Sequence, residues 1–237
     1  MYAALAIVFV INTLWSTWFA KHFLPSHEMY FNQNPHLLVY FPYDPAFNAI
    51  PASDIPNEHI KFIVPSNLAV WVFIHCTVCK TFSFLQLLYE FLFMWFCYNI
   101  VSAMKAVTMT LLPFAPPPNS QPLHDNLVSW ITGRKDEFTL DLFFSGHTST
   151  ICIILLQYSQ MYQKISFSNS HVGEVYMFFL GFLYTLCSVL QIGFLLIHAR
   201  AHYGIDVFIA PIMTYFAFQV TKFLFTLFFF LDFEKQN

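Results

Sequence analysis

The sequence has few charged side chains. Asp, Glu, Lys and Arg make up only 10% of its 237 residues, whereas 57% are hydrophobic and 20% aromatic. A typical soluble domain carries about 25% charged residues, so this chain has too few polar groups to cover a folded surface in water. Its hydrophobic residues also fall in long runs rather than in short alternating ones. The composition therefore excludes an ordinary soluble domain and predicts a protein that lies in a membrane.

The sequence also lacks an excess of positive charge. Ten Lys and Arg stand against 13 Asp and Glu, which gives a formal net charge of −3 and a pI near 6.3. Such a chain has no basic field to attract the phosphates of a nucleic acid, so nucleic acid is excluded as a partner. The few cations fall on both sides of the predicted spans, and the positive-inside rule therefore leaves the absolute orientation open.

Six apolar segments have about the length that a transmembrane helix requires, which is about 20 residues. The fourth is the weakest, because it is short and contains Gln157 and Gln160. The N-terminal segment has no basic leader, so we expect a first span rather than a removed signal peptide. We predict an all-α, multi-pass integral membrane protein whose single domain, residues 1–237, is a six-transmembrane-helix bundle. The predicted spans are approximately residues 2–20, 62–79, 82–104, 148–162, 176–197 and 205–231.

Counting the spans places three polar connections on one face of the bilayer. The connections 21–61, 113–146 and 198–204 follow the first, third and fifth predicted spans, so they share a side. Ionisable residues at membrane depth are unfavourable and usually mark function. The two clusters of such residues that stand out both belong to this face. We therefore expect an active site there.

The first cluster lies at the start of the fourth span and consists of Ser145, Gly146 and His147. A Ser-Gly pair before a helix combines a hydroxyl, backbone N–H groups and the positive end of the helix dipole, which together suit a phosphate oxygen. The imidazole of His147 titrates near neutrality and can protonate a leaving oxygen. An ordinary helix N-cap with an interfacial histidine is the alternative interpretation.

The second cluster lies between the fifth and sixth spans. His202 and Asp206 are four residues apart, which would place them on one helical face within hydrogen-bonding reach. A carboxylate beside one imidazole nitrogen makes the other nitrogen a better nucleophile. Arg200 is a planar cation suited to phosphate, and His198 lies one turn before His202. Interfacial anchoring is the alternative, but the two clusters on one face together predict a single reactive site.

These residues carry a resemblance to a known family. The run Ser145-Gly146-His147, followed by His202 and Asp206, resembles the motifs of the type 2 phosphatidic acid phosphatase superfamily. The six-span plan is similar as well. The resemblance extends over roughly half of the chain.

The finer similarity is to the sphingomyelin synthase-like branch, with its GDxxFSGHT-type and HYTxDV-type boxes. Asp141 lies six residues before His147, and Tyr203 follows His202, as in those boxes. The segment Lys105–Pro113 looks like the RxxT…P segment of the same branch. The two boxes are specific, and the upstream segment supports them.

The resemblance implies a mechanism. His202 would attack phosphorus and form a phosphohistidine, whose charge Asp206 would stabilise. His147 would protonate the departing oxygen and then act as a base towards the acceptor. The family requires neither a metal nor a cofactor. The implied phosphate-binding residues are Ser145, Gly146, Arg200 and Lys105, and the supporting residues are Asp141, Tyr203 and His198.

The sequence departs from the family pattern at several positions. The usual phosphatase box carries Ser-Arg seven and six residues before the nucleophile, where this chain has two leucines. Arg200 takes over that role by resemblance to the plant and protozoan inositol phosphorylceramide synthases. Lys105 replaces an arginine, which weakens any bidentate phosphate contact. Gly204 stands where a threonine is common.

Two forms of a headgroup enzyme stay open. In a transferase, a phospholipid donates its phospho-headgroup to a lipid alcohol of the ceramide or diacylglycerol type, whereas in a phosphatase water is the acceptor. The motifs are shared, although the sphingomyelin synthase-like boxes favour the transferase. A more distant alternative is a non-catalytic lipid-binding membrane protein, for which His202→Ala would leave function intact.

Overall fold

The computed structural model describes residues 2–39, 44–49, 63–78, 84–113, 115, 145–166, 171–191 and 202–234. Within these ranges the regular elements are helices and no strand occurs, which confirms the all-α prediction for the described residues. A π-helical turn, Phe19–Phe23, joins the first two helices, and a 3-10 turn, Pro35–Leu37, follows the second. The helices are α1 (Tyr2–Trp18), α2 (Leu24–Gln33), α3 (Pro45–Ala49), α4 (Ile63–Val78), α5 (Phe84–Leu111), α6 (Gly146–Ser166), α7 (His171–Leu190) and α8 (Gly204–Glu234).

Some helices extend past the predicted spans. α5 ends at Leu111 rather than at residue 104. Its last turns tolerate polar residues because their hydroxyls bond to the helix's own backbone. Thr108 Oγ1 donates to the carbonyl of Lys105 at 2.9 Å, and Thr110 Oγ1 donates to that of Ala106 at 2.8 Å. Such back-bonding satisfies a hydroxyl without ending the helix.

Among the residues that the structure describes, two helices are long and apolar enough to cross a bilayer by length and composition, Phe84–Leu111 and Gly204–Leu227. Pro65–Ile74 and Phe178–Leu190 are shorter apolar helices. Large apolar side chains also point outward, as shown by Phe208, which is 74% exposed. Because soluble proteins rarely expose extensive apolar surface, these features indicate membrane association.

α1 and α5 run parallel and share polar contacts. Asn99 Nδ2 donates to Asn12 Oδ1 at 2.9 Å, and Ser16 Oγ donates to Asn99 Oδ1 at 2.9 Å. Further along both helices, Trp15 Nε1 donates to Ser102 Oγ at 2.6 Å. Hydrogen bonds of this kind hold apolar helices together where burial of apolar area alone cannot.

α8 runs antiparallel to α5. Phe93 packs edge-on against Phe218 with ring centroids 5.2 Å apart, whereas Tyr89, one turn earlier, packs against Phe225 at 5.6 Å. The C-terminal part of α5 therefore lies beside the start of α8. This end of the bundle is where the two polar clusters meet.

Candidate active site

The start of α6 is organised by Ser145. This residue is completely buried, and its Oγ accepts a hydrogen bond from the backbone N–H of Thr148 at 3.1 Å. Its carbonyl accepts the first helical bond, from Ser149 N–H, at 2.9 Å. Ser145 is therefore the N-cap of α6.

The start of α8 is organised by two carboxylates. Asp206 is completely buried, and its Oδ2 accepts a hydrogen bond from the backbone N–H of Tyr203 at 3.0 Å. This is the reach-back contact of a capping box, in which the third helical residue satisfies the N-cap residue. The next N–H along the chain, that of Gly204, donates to Oδ2 of Asp44. Side chains from distant parts of the sequence thus hold the segment that follows His202.

A backbone hydrogen bond joins the two predicted clusters. Ser145 N–H donates to the Asp206 carbonyl at 3.3 Å, which places the first turns of α6 and α8 in contact. The imidazoles of His147 and His202 face each other with ring centroids 6.2 Å apart. His202 is 1% exposed, whereas His147 is partly exposed. The structure thus brings the three predicted catalytic residues together, with His147 nearest to the surface.

The contact between His202 and Asp206 differs from the one expected. His202 Nδ1 and Asp206 Oδ2 are 3.9 Å apart, which is beyond hydrogen-bonding distance. The expectation assumed a helix through both residues, but α8 begins only at Gly204, so helical spacing does not apply. The same Oδ2 atom bonds to Tyr203 N–H instead. Asp206 therefore lies close to His202 without a direct hydrogen bond between Oδ2 and Nδ1.

Lys105 brings a positive charge to this site. Its side chain is buried, and Nζ lies 3.7 Å from the point where a Cβ on Gly146 would be, as does the hydroxyl of Tyr98. Burial, and then the charges of Lys105 and His147, hold the pKa of His202 well below its ordinary value. A His202 with such a pKa is neutral near pH 7 and has a free electron pair for nucleophilic attack.

The other predicted residues divide into two groups. Tyr203 is buried in the N-cap position of α8, and Gly146 is the first residue of α6. Asp141, His198 and Arg200 lie outside the described residues. Within the described ranges, no group of three or more His, Cys, Asp or Glu side chains could hold a metal ion.

Sequence reasoning missed Asp44 and Tyr98. Asp44 precedes Pro45, and an acidic residue before a proline is a helix N-terminal signal. Span counting had also placed its connection on the same face as the site. Tyr98 lies two turns before Lys105 on α5. Neither signal indicates by itself that Asp44 lies at the start of α8 or that Tyr98 lies beside Gly146.

An open cleft of about 730 Å³ lies elsewhere, between the π-helical turn, α2 and the end of α5. It contains none of the predicted site residues. Its lining includes Trp18, His22, His27, Tyr30, Thr110 and Pro113.

Comparison with known proteins gives one match, which covers the starts of α6 and α8. Residues 140–223, roughly a third of the chain, match the family model described as PAP2 superfamily C-terminal. The matched region contains His147, His202 and Asp206. No curated protein and no solved structure matches the chain significantly. The family match supports the type 2 phosphatidic acid phosphatase (PAP2) superfamily and, with it, a lipid phosphatase or phosphotransferase type of function.

Proposed function

We propose that this chain is a multi-pass membrane enzyme that transfers a phospho-headgroup from a phospholipid to a lipid alcohol through a phosphohistidine at His202. The main support is one arrangement: a buried, neutral His202 faces His147 and lies close to the charge of Lys105. A nucleophile, a proton donor and a cation within one small volume are the groups that phosphoryl transfer needs.

In the first step, Nε2 of His202 attacks phosphorus, since Nδ1 faces Asp206. The P–N bond forms as the bond from phosphorus to the leaving lipid oxygen breaks. His147 donates its proton to that oxygen, so the lipid leaves as a neutral alcohol. The His202 ring becomes positively charged, and the Asp206 carboxylate, 3.9 Å away, stabilises this charge.

The phosphoryl oxygens bind at the start of α6 in this proposal. A Cβ on Gly146 would lie 3.7 Å from Lys105 Nζ, so the glycine leaves that space to the phosphate, and Ser145 is the N-cap of the same helix. The helix dipole and the Lys105 ammonium both favour the negative charge that accumulates on these oxygens. Arg200 is proposed as a further phosphate ligand from its place two residues before His202.

In the second step, His147, now neutral, removes the proton of the acceptor hydroxyl. The acceptor oxygen attacks phosphorus, the P–N bond breaks, and His202 returns to its neutral form. The two boxes similar to those of sphingomyelin synthase-like proteins favour a lipid alcohol, of the ceramide or diacylglycerol type, as acceptor. Water would complete the same cycle as a phosphatase.

We further propose that α1, α4, α5, α6, α7 and α8 are six spans with the site at one membrane face. The parallel packing of α1 on α5 and the antiparallel packing of α5 on α8 are what alternating first, third and sixth spans require. The outward-facing apolar side chains support a lipid environment.

The test uses purified protein in detergent. Radiolabelled phosphatidic acid, phosphatidylcholine, phosphatidylethanolamine and phosphatidylinositol are each supplied with ceramide or diacylglycerol. We expect labelled headgroup on the acceptor, and loss of turnover in His147→Ala and His202→Ala. The exposed His36→Ala serves as the matched control and should retain activity.

The outcomes separate the alternatives. Release of inorganic phosphate without transfer to the acceptor would contradict the transferase and support a phosphatase. Unchanged turnover in His202→Ala would overturn the phosphohistidine mechanism for both the transferase and the phosphatase.

A further inference from the structure

We propose that Asp44 is a positioning residue for the nucleophile, fixing the segment that carries His202. The inference deepens the function proposed above and rests on the role given there to His202. Asp44 comes from the first polar connection, 160 residues before Gly204 in the chain. No sequence motif connects the two positions, and only the fold brings them together.

Both oxygens of the Asp44 carboxylate are used. Oδ1 accepts a hydrogen bond from Ala46 N–H at 2.9 Å, which makes Asp44 the N-cap of α3. Oδ2 accepts a hydrogen bond from Gly204 N–H at the start of α8. The side chain is only 7% exposed, so water competes little for either bond. One carboxylate therefore ties the starts of two helices together.

Gly204 is required for this close approach. A Cβ at position 204 would lie 2.7 Å from the Cβ of Ala46 and 2.9 Å from Asp44 Oδ1. Real Cβ atoms essentially never come that close to other heavy atoms, so any larger residue would push α3 and Asp44 away. Gly204 stands where the boxes of the sphingomyelin synthase-like branch carry threonine. Its close contact with Asp44 and Ala46 is a physical reason for a glycine at this position.

The backbone directly after His202 is held by two hydrogen bonds in succession. The N–H of Tyr203 is held by Asp206, and the next N–H, that of Gly204, is held by Asp44. The two consecutive peptide groups after His202 are therefore fixed by two buried carboxylates. An imidazole on a fixed segment keeps its nitrogen aligned with phosphorus, and a misplacement of about 1 Å can cost about a hundredfold in rate.

Asp44→Ala is the first test, with exposed Asn32→Ala on α2 as the control. We expect kcat to fall between about tenfold and a hundredfold, with KM within about twofold of the parent, because Asp44 does not touch the substrate. A change confined to KM, or an unchanged kcat, would overturn the proposal.

A second readout does not depend on turnover. Diethyl pyrocarbonate modifies accessible neutral imidazoles, and the modified residues are identified by mass spectrometry. His202 is 1% exposed and should react slowly in the parent protein. Asp44→Ala should accelerate modification of His202 several-fold and leave that of His27, which is also buried, unchanged. Equal acceleration at both histidines indicates general unfolding and contradicts a local role, and no change at His202 does so as well.

Gly204→Ala completes a double-mutant cycle. Alone, it should reproduce the Asp44→Ala effect on kcat and on His202 modification. Combined with Asp44→Ala it should add little, because α3 is then no longer tied to position 204. If the effects of the two substitutions on kcat were additive, they would contradict the proposed coupling between Asp44 and Gly204. If the parent protein transfers no headgroup, the modification readout still decides whether Asp44 fixes His202, so failure of the proposed function is distinguishable from failure of this inference.

Discussion

The backbone N–H of Ser145 donates a hydrogen bond to the carbonyl of Asp206 across 3.3 Å. This bond joins the first turn of α6 to the first turn of α8, with both residues completely buried. The positive ends of two helix dipoles therefore converge on the space between His147 and His202. Such a space favours an anion, which supports the proposal that a lipid phosphate binds there.

Gly146→Ala should impair substrate handling without loss of stability. The added Cβ would meet only ordinary contacts, 3.7 Å from Lys105 Nζ and from Tyr98 Oη, but it would occupy the space proposed for the phosphoryl oxygens. We expect kcat/KM to fall by about tenfold, equivalent to about 1.4 kcal/mol, and the Tm to stay unchanged.

Gly181→Ala is the matched contrast to that variant. Its Cβ would lie 2.5 Å from Tyr158 Cε1, remote from the phosphate site, so it should lower the Tm and leave kcat/KM of the folded fraction intact. Activity assays and thermal melts of both variants check the pair. The reverse pattern would argue against a phosphate site at Gly146.

Lys105→Gln should shift the pH dependence of the reaction. The positive charge of Lys105 contributes to the lowered pKa of His202, so its removal should raise that pKa towards the ordinary value. Protonated His202 cannot attack phosphorus, and the acidic fall in kcat/KM should therefore move to higher pH. Lys105→Arg keeps the charge and should keep the profile. The profile is measured from phosphoenzyme formation, and an unmoved acidic limb in Lys105→Gln would contradict the electrostatic link.

His202 should make the folded protein sensitive to acid. Its pKa is depressed in the folded state, whereas an unfolded histidine titrates near about 6.5. Below that pH, His202 binds a proton in the unfolded chain but stays unprotonated in the folded chain. The stabilisation is therefore complete above about 6.5 and is lost as pH falls towards the folded-state pKa.

Thermal melts between about pH 5 and 7.5 measure this effect as a difference between variants. His202→Gln should melt with a weaker pH dependence than the parent, while exposed His36→Gln should follow the parent. Parallel curves for the parent and His202→Gln would mean that the His202 side chain is not buried as described.

Asn99→Ala should loosen α1 from α5. Asn99 contacts both Asn12 and Ser16, and an interhelical hydrogen bond in an apolar environment is worth about 1 kcal/mol. A decrease in Tm of about 2–4 °C is expected. Thr13→Ala is the control, since its hydroxyl bonds to the Phe9 carbonyl of its own helix. Equal shifts in both variants would rule out a specific role for the α1–α5 contact.

The helical architecture of the molecule could be predicted from its composition and from the length of its apolar runs. The candidate site could be predicted only in part. Long apolar runs predicted the helices, and span counting predicted that the connections before His147 and His202 share a face. The expectation that His202 and Asp206 lie within hydrogen-bonding reach was wrong, because the helix begins only at Gly204 and a spacing of four carries no such information outside a helix. Helix starts depend on caps, and here one cap comes from Asp44.

Contacts between residues far apart in the chain could not be predicted from the sequence, for a related reason. Asp44 and Gly204 make a steric and hydrogen-bonding pair, yet each looks unremarkable in its own segment. A local pattern reports which face a residue occupies and not which distant residue it meets. Lys105 was identified only because a family resemblance pointed to it.

The residues of the candidate site come from two parts of the chain, inside and outside the region that matches the family model. Residues 140–223, the matched region, contain both histidines and Asp206, but Lys105, Tyr98 and Asp44 all lie before it. The matched region therefore supplies the reactive imidazoles without the buried cation or the second helix cap. In the proposed mechanism this region would be one part of the active centre, and transplanting it into another membrane scaffold would carry over both histidines and Asp206 without Lys105 and Asp44.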